Sequence, residues 1–337
     1  MNKKIPLYLL VLLVALTGHK TLAQEKTGLH ILKSLPLKSA GGWDYLFASP
    51  ALNRLYVSHG AHVNVFDLTT GDSVAVITGT AGVHGIATVE NLGKGYISDG
   101  RSNSVAVFDL KTNKISKKVA TGMNPDAIFY DDFSKKIYTC NGKSQDASVI
   151  DPATDQVVAT IPLGAKPETA VSDGRGKIYV NGETTNEVIV IDALSYKVIT
   201  RYKIQGGEEP SGLDIDRATN RLFIGCGGSA QMVIMDATNG DNLAKFPIGH
   251  CDGLVFDPEL KLAYASNGEG TISVVREISA DKFMLVENIA TEKSARTITI
   301  DYKTHHLFLS AARTEPNPAG GYPKVVAGTF HVLEVGK

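Results

Sequence analysis

Three cysteines, one tryptophan and five methionines in 337 residues are few. A chain with so few thiols has no disulfide framework to lean on, and must hold itself together by burial. No C-x-x-C-H run occurs, which excludes attached c-type haem. No G-x-S-x-G, P-loop or dinucleotide fingerprint stands between a strand and a helix, so no nucleotide cofactor is expected, and no helix of ordinary length is visible. Charge of one sign is also missing: the formal net charge is −1. A global basic surplus for nucleic acid or an anionic membrane is therefore lacking. With 43% apolar and 20% charged residues, the composition is globular, which excludes a disordered chain, a coiled coil and a collagen-like fibre.

Long apolar runs are absent after the first residues. Lys3 and Lys4 precede Ile5 to Leu16, which only Pro6 interrupts, and Thr21-Leu22-Ala23 offers small residues before Gln24. That pattern reads as a signal peptide over residues 1–23, with 24–337 as a single exported, soluble domain. An uncleaved anchor is the alternative, although the run is short for about 30 Å of hydrocarbon. No cysteine follows the cut to carry a lipid. Removing Lys3, Lys4 and Lys20 leaves the rest acidic.

What is present is a repeat. An aromatic opens a short apolar stretch at Tyr56, Tyr96, Tyr138, Tyr179, Phe223, Tyr264 and Phe308, spaced by 40, 42, 41, 44, 41 and 44 residues. An alternating stretch ending in aspartate follows each early block, as in Val63-Asn64-Val65-Phe66-Asp67 and Val188-Ile189-Val190-Ile191-Asp192. Period-two alternation of β-branched residues predicts strands. The recurring Asp67, Asp109, Asp151, Asp192 and Asp236 precede turn residues and read as Asx turns rather than chemistry. Four strands, a to d, in about 42 residues make a propeller blade. The expected fold is therefore all-β, a seven-bladed propeller with four antiparallel strands per blade. The last unit stops at its third strand, Thr329 to Val335, whereas Ser34-Leu35-Pro36-Leu37 matches the fourth strands Thr160-Ile161-Pro162-Leu163 and Lys245-Phe246-Pro247-Ile248. An N-terminal strand closing blade 7 follows, protecting an otherwise open edge.

Tyr56-Val57-Ser58-His59, Tyr96-Ile97-Ser98-Asp99 and Tyr179-Val180-Asn181-Gly182 resemble YVTN-type β-propeller repeats. The chain after residue 23 resembles the YncE-like family of exported bacterial seven-bladed propellers, its ending from Pro323 to Leu333 included. The resemblance implies the fold and no single activity. Some members are associated with DNA, and the acidic balance of this chain departs from that.

In a propeller the d–a and b–c loops surround one mouth of the central channel. Aligned blades give a d–a column of Asp44, His84, Asp126, Glu168, Ser211, Asp252 and Arg296. The b–c column is His59, Asp99, Asn141, Asn181, Cys226, Asn267 and Ala311. Loop capping accounts for polar strand ends, and so does a ligand site at a concave opening. Two metal readings stand beside a plain polar lining. His59, His84 and His250 offer nitrogens for zinc or copper; Asp126, Asn141, Glu168 and Asn181 offer oxygens for calcium. Arg296 and Arg313 balance the carboxylates or grip an anion.

Cys140, Cys226 and Cys251 are placed in mouth loops, as buried free thiols or with Cys226 and Cys251 paired. The long b–c connection of blade 7, Arg313 to Pro323, reads as a lid or as mobile filler. Three functions remain. The first is a non-enzymatic binding or scaffold module, a monomer that takes a small ligand, metal, peptide or protein partner at the mouth. The second is a metal-assisted hydrolase or lactonase using the same groups. The third is single-stranded DNA binding, which needs a basic groove with exposed aromatics that the acidic column does not supply.

Overall fold

The computed structural model describes residues 26–37, 41–318 and 323–337; the leader read over residues 1–23 lies outside the described residues. Regular structure in the described chain is almost entirely strand, with two single-turn 3-10 helices at Glu90–Leu92 and Gly100–Ser102. Seven four-stranded antiparallel sheets form, each in simple a-b-c-d order. In blade 1 these are Trp43–Ser49, Arg54–His59, His62–Asp67 and Ser73–Ile77. Blades 2 to 6 start their inner strands at Val83, Pro125, Pro167, Pro210 and Cys251. Strand a of every blade touches strand a of the next, and that of blade 7 touches blade 1, so the ring is closed.

Closure works as the sequence pattern predicts. Blade 7 is Ile298–Asp301, His306–Ala311 and His331–Gly336, with His30–Pro36 from the other end of the chain as its outer strand. Pairing runs from His30 opposite Gly336 to Pro36 opposite His331. Leu35 and Leu37 enter the core there, beside Phe308, Phe330 and Val332.

The repeat period is a burial period. Strands b and c lie between blades and are buried nearly throughout, whereas strand d alternates, as Lys197–Lys203 does. All seven repeat aromatics lie at 0–2% exposure in strand b. Truncating such a ring to alanine typically costs about 3–5 kcal/mol, which is why this column is so regular. The aspartate column is equally architectural. Asp67 Oδ1 accepts from the N–H of Thr69 and Thr70 at 2.9 and 3.1 Å, and Asp109 Oδ1 from Lys111 and Thr112 at 3.1 and 2.7 Å. Asp151, Asp192 and Asp236 cap their turns likewise.

The thiols stand slightly apart from expectation. Cys140, Cys226 and Cys251 are strand residues rather than loop residues, and all three are buried and free. Burial pushes the Cys226 thiol up to about 12.

Candidate functional site

Strand a begins in the same irregular way around the ring. The pairing register shifts after Trp43, Val83, Pro125, Pro167, Pro210 and Cys251. The residue that follows each shift is the d–a column residue: Asp44, His84, Asp126, Glu168, Ser211 or Asp252. A bulge re-aims a side chain at a barrel rim, so one backbone irregularity delivers six side chains to the opening, and Arg296 enters from blade 7.

These groups meet. His84 Nδ1 lies 2.6 Å from Asp44 Oδ2 and 3.5 Å from Asp126 Oδ1. Ligand atoms of Asp44, His84 and Asp126 lie within 4.8 Å of one another. A Cβ at Gly100 would stand 2.6 Å from His84 Nε2, so glycine there leaves room for the imidazole. Across the opening, Arg296 donates to Asp252 through Nη1 and to the Trp43 carbonyl through Nη2 at 3.1 Å. Ser211 Oγ donates to Asp252 Oδ1 at 2.9 Å, and Lys166 Nζ stands 3.3 Å from Glu168 Oε2.

Carboxylates outnumber the cations that face them, and the electrostatics follow. Burial first, then the Asp44 charge, raises Asp126 to about 7 against the pull of His84 and Lys166. Burial and the Asp126 charge raise Glu168 to about 8, again against Lys166. Burial alone would lower His84; its hydrogen bond to Asp44 and the charges of Asp126, Asp44 and Glu168 overcome this and raise it to about 9. Asp126 is 8% exposed and its Oδ1 accepts no hydrogen bond, with the His84 imidazole 3.5 Å away, so it retains capacity for a cation or donor.

Tyr45 is the functional neighbour that the column analysis misses. Its ring leaves blade 1 and packs against the core of blades 3 and 4, so it crosses the channel beneath the mouth. Burial, then Glu168, Asp126, Asp44 and Asp252 in that order, raises its hydroxyl well above the ordinary value. A signal for it exists: the equivalent residues in the other blades are Gly85, Ala127, Thr169, Gly212, Gly253 and Thr297. One large ring fills the space that six small residues leave.

The b–c column has a different placement. His59 is fully buried, its Nε2 3.1 Å from the Gly41 carbonyl and its ring stacked on Phe330 at 3.9 Å. Asp99 accepts from the N–H of Ala81 and Gly82 at 3.0 and 2.9 Å and pairs with Lys118. Asn141 Nδ2 donates to Asp146 and Ser148 at 2.6 and 2.9 Å, and Asn181 Nδ2 to the carbonyls of Ser211 and Gly212 at 3.0 and 3.2 Å. These four side chains tie loops and blades together. The expected three-imidazole set is not brought together: His59 is in the core, and His250, 72% exposed, turns to the Gly227 carbonyl and Glu269. Among the described residues the one group of metal-ligating type pairs His84 with Asp44 and Asp126 instead. The calcium set likewise keeps only Asp126 and Glu168 at the opening.

The stem of the long blade 7 loop is an ordered ribbon, Thr314–Glu315 paired with Lys324–Val325; residues 319–322 lie outside the described residues. Thr314, Pro323 and Val325 join Trp43 and Arg296 around a cavity of about 450 Å³ at the rim of the mouth.

No protein-family model matches the chain. Over 134 residues, 38% of this chain and 37% of the relative, it is 28% identical to the uncharacterized protein YncE of Salmonella typhimurium. The match thus spans well under half of that relative's length. Among solved structures, a chain of hydrazine synthase from Kuenenia stuttgartiensis superposes with a TM-score of 0.71 at 16% identity, covering 81% of this chain and 94% of that one. A chain of a mitotic checkpoint complex gives 0.72 at 14% identity over 92% and 96%. U3-55K gives 0.74 at 10% identity over 89% and 97%. At these identities the three likenesses speak for the fold alone. No helix among the described residues is long and apolar enough to cross a membrane.

Proposed function

As a YncE-like seven-bladed β-propeller, the chain is, we propose, an exported binding module that takes up a divalent cation at the mouth of its channel. A propeller fold supports a binding or scaffold role in general; the mouth supplies the specific reading. The observation that carries it is the convergence of Asp44, His84 and Asp126, with Asp126 Oδ1 buried and without a hydrogen-bond donor. One imidazole and two carboxylates match the nitrogen and oxygen donors that zinc accepts, leaving a coordination position free. Glu168 adds negative charge as pH rises through about 8, Asp252 is held by Arg296, and Tyr45 closes the channel below. His84 carries a proton at neutral pH, so a metal must displace it, and uptake becomes tighter as pH rises toward 9.

Metal-assisted hydrolysis is the second reading, because a three-ligand site with an open position also activates water. Equilibrium dialysis of the full chain against zinc tests the first. The expected result is one tight site in the native protein, weakened by about 100-fold or more in His84→Ala, since even outer-sphere partners of a metal contribute about 10–100-fold. Equal uptake by a folded His84→Ala protein would contradict it. Ester or lactone turnover by the zinc-loaded protein, lost in the same variant, would move the conclusion to the hydrolase.

A further inference from the structure

Five blades carry a tyrosine at the equivalent strand-b position, Tyr56, Tyr96, Tyr138, Tyr179 and Tyr264, and these do not share one fate. Tyr96 donates to Asp155 Oδ1 at 2.7 Å, Tyr138 to the Ala193 carbonyl at 3.1 Å and Tyr179 to the Ala237 carbonyl at 2.9 Å. Each reaches the c–d turn of the following blade. Tyr264 of blade 6 faces blade 7, whose strands c and d come from opposite ends of the chain, so that turn does not exist. Its hydroxyl is accordingly buried with no hydrogen-bond partner, in a residue 0% exposed.

Where the turn would sit is a cavity of about 410 Å³. Tyr264 lines it together with the cationic side chains Lys26, Arg276 and Lys337 and an apolar wall that includes Leu260 and Leu262. Among the described residues no aspartate or glutamate side chain lines it. The nearby acids are already engaged: Asp257 with His305 at 2.7 Å, Glu334 with His306 at 2.7 Å, and Glu287 with Thr27. Arg276 forms no salt bridge among the described residues; burial and then the Asp257 charge raise the Tyr264 hydroxyl, and the Arg276 charge opposes both. The volume is that of a small-molecule site.

We propose that this seam between blades 6 and 7, on the face opposite the mouth, binds a small organic anion. The acidic group is held by Arg276 and the Tyr264 hydroxyl, and a short apolar tail lies along Leu260 and Leu262. The site follows from the closure, because strands c and d of blade 7 pair without a connecting turn. A guanidinium and a hydroxyl donor favour a carboxylate over a neutral amide of the same shape.

The test titrates the full chain with hexanoate, and with hexanamide as its uncharged counterpart, by ligand-observed NMR. Saturable millimolar binding of hexanoate and none of hexanamide is expected. Arg276→Gln should weaken hexanoate by about 10-fold and Tyr264→Phe by several-fold, as the loss of one charge-assisted and one neutral hydrogen bond requires. Melting separates this from a structural role. Tyr264→Phe should melt no lower than the native protein, because its hydroxyl has no internal partner, whereas Tyr138→Phe should melt lower. Equal binding of amide and acid, unchanged affinity in Arg276→Gln, no binding of hexanoate, or a lowered melting temperature in Tyr264→Phe would each overturn the proposal.

Discussion

Glu168→Gln in metal-free protein isolates the cost of crowding carboxylates at the mouth. Burial and the Asp126 charge hold Glu168 at about 8 rather than the usual 4.5. A raised carboxyl keeps its proton longer in the native state, so the native state is favoured most below 4.5 and loses that advantage as pH rises through 8. The full displacement corresponds to about 5 kcal/mol. Asp126, raised to about 7, titrates in the same window, and the two share the repulsion, so glutamine should recover about 2–4 kcal/mol at pH 9. At about 2 °C per kcal/mol for a chain of this size, the variant should melt about 4–8 °C above the native protein at pH 9. The two should nearly coincide at pH 5. His84 adds a decline common to both, since its raised value stabilises fully below 6.5 and fades as pH rises through about 9. Thermal unfolding by circular dichroism in chelator at pH 5, 7 and 9 reads this directly. Parallel profiles with a constant offset would refute the reasoning.

Deleting Thr27 to Leu37 removes the outer strand of blade 7 and leaves His331–Gly336 as an unpaired edge; aggregation or a large loss of stability is expected in light scattering and melting, and an equally stable soluble product would argue against the closure. Replacing Asp109 and Asp192 together by alanine should cost about 1–2 kcal/mol per turn cap while leaving zinc uptake in dialysis unchanged. Single-stranded DNA should bind only weakly in a mobility-shift titration, because counterion release needs several cationic contacts and the mouth is dominated by carboxylates; tight, salt-sensitive binding would point to a local basic patch elsewhere.

The blade count, the closure and the Asx turns were legible because each arises from a requirement that every blade repeats. A buried ring in strand b and an aspartate at the turn recur for one physical reason, and a single chain displays them seven or five times over. The d–a column was legible for the opposite reason: equivalent positions with unlike residues stand out against the repeat, and Asp44, His84, Asp126, Glu168, Asp252 and Arg296 do meet. The b–c column gives a false lead by the same logic. His59, Asp99, Asn141 and Asn181 differ from one another because each ties a loop of different shape, with backbone amides and carbonyls as partners that residue identity does not reveal. Lys166 and Tyr45 lie one or two positions off the aligned columns, so a column search passes over them. The orphaned Tyr264 hydroxyl is invisible to any reading of strand b alone, since what sets it apart is a turn missing from the neighbouring blade.

Anomalous diffraction at the zinc edge from zinc-soaked crystals bears most directly on the central claim, because it places the ion without reference to affinity. The account predicts one dominant peak at the mouth, at about 2.0–2.2 Å from an Asp44 oxygen, His84 Nδ1 and an Asp126 oxygen. A dominant peak at His250 and Glu269 or elsewhere on the surface, with the Asp44–His84–Asp126 group still hydrogen-bonded to itself, would contradict it.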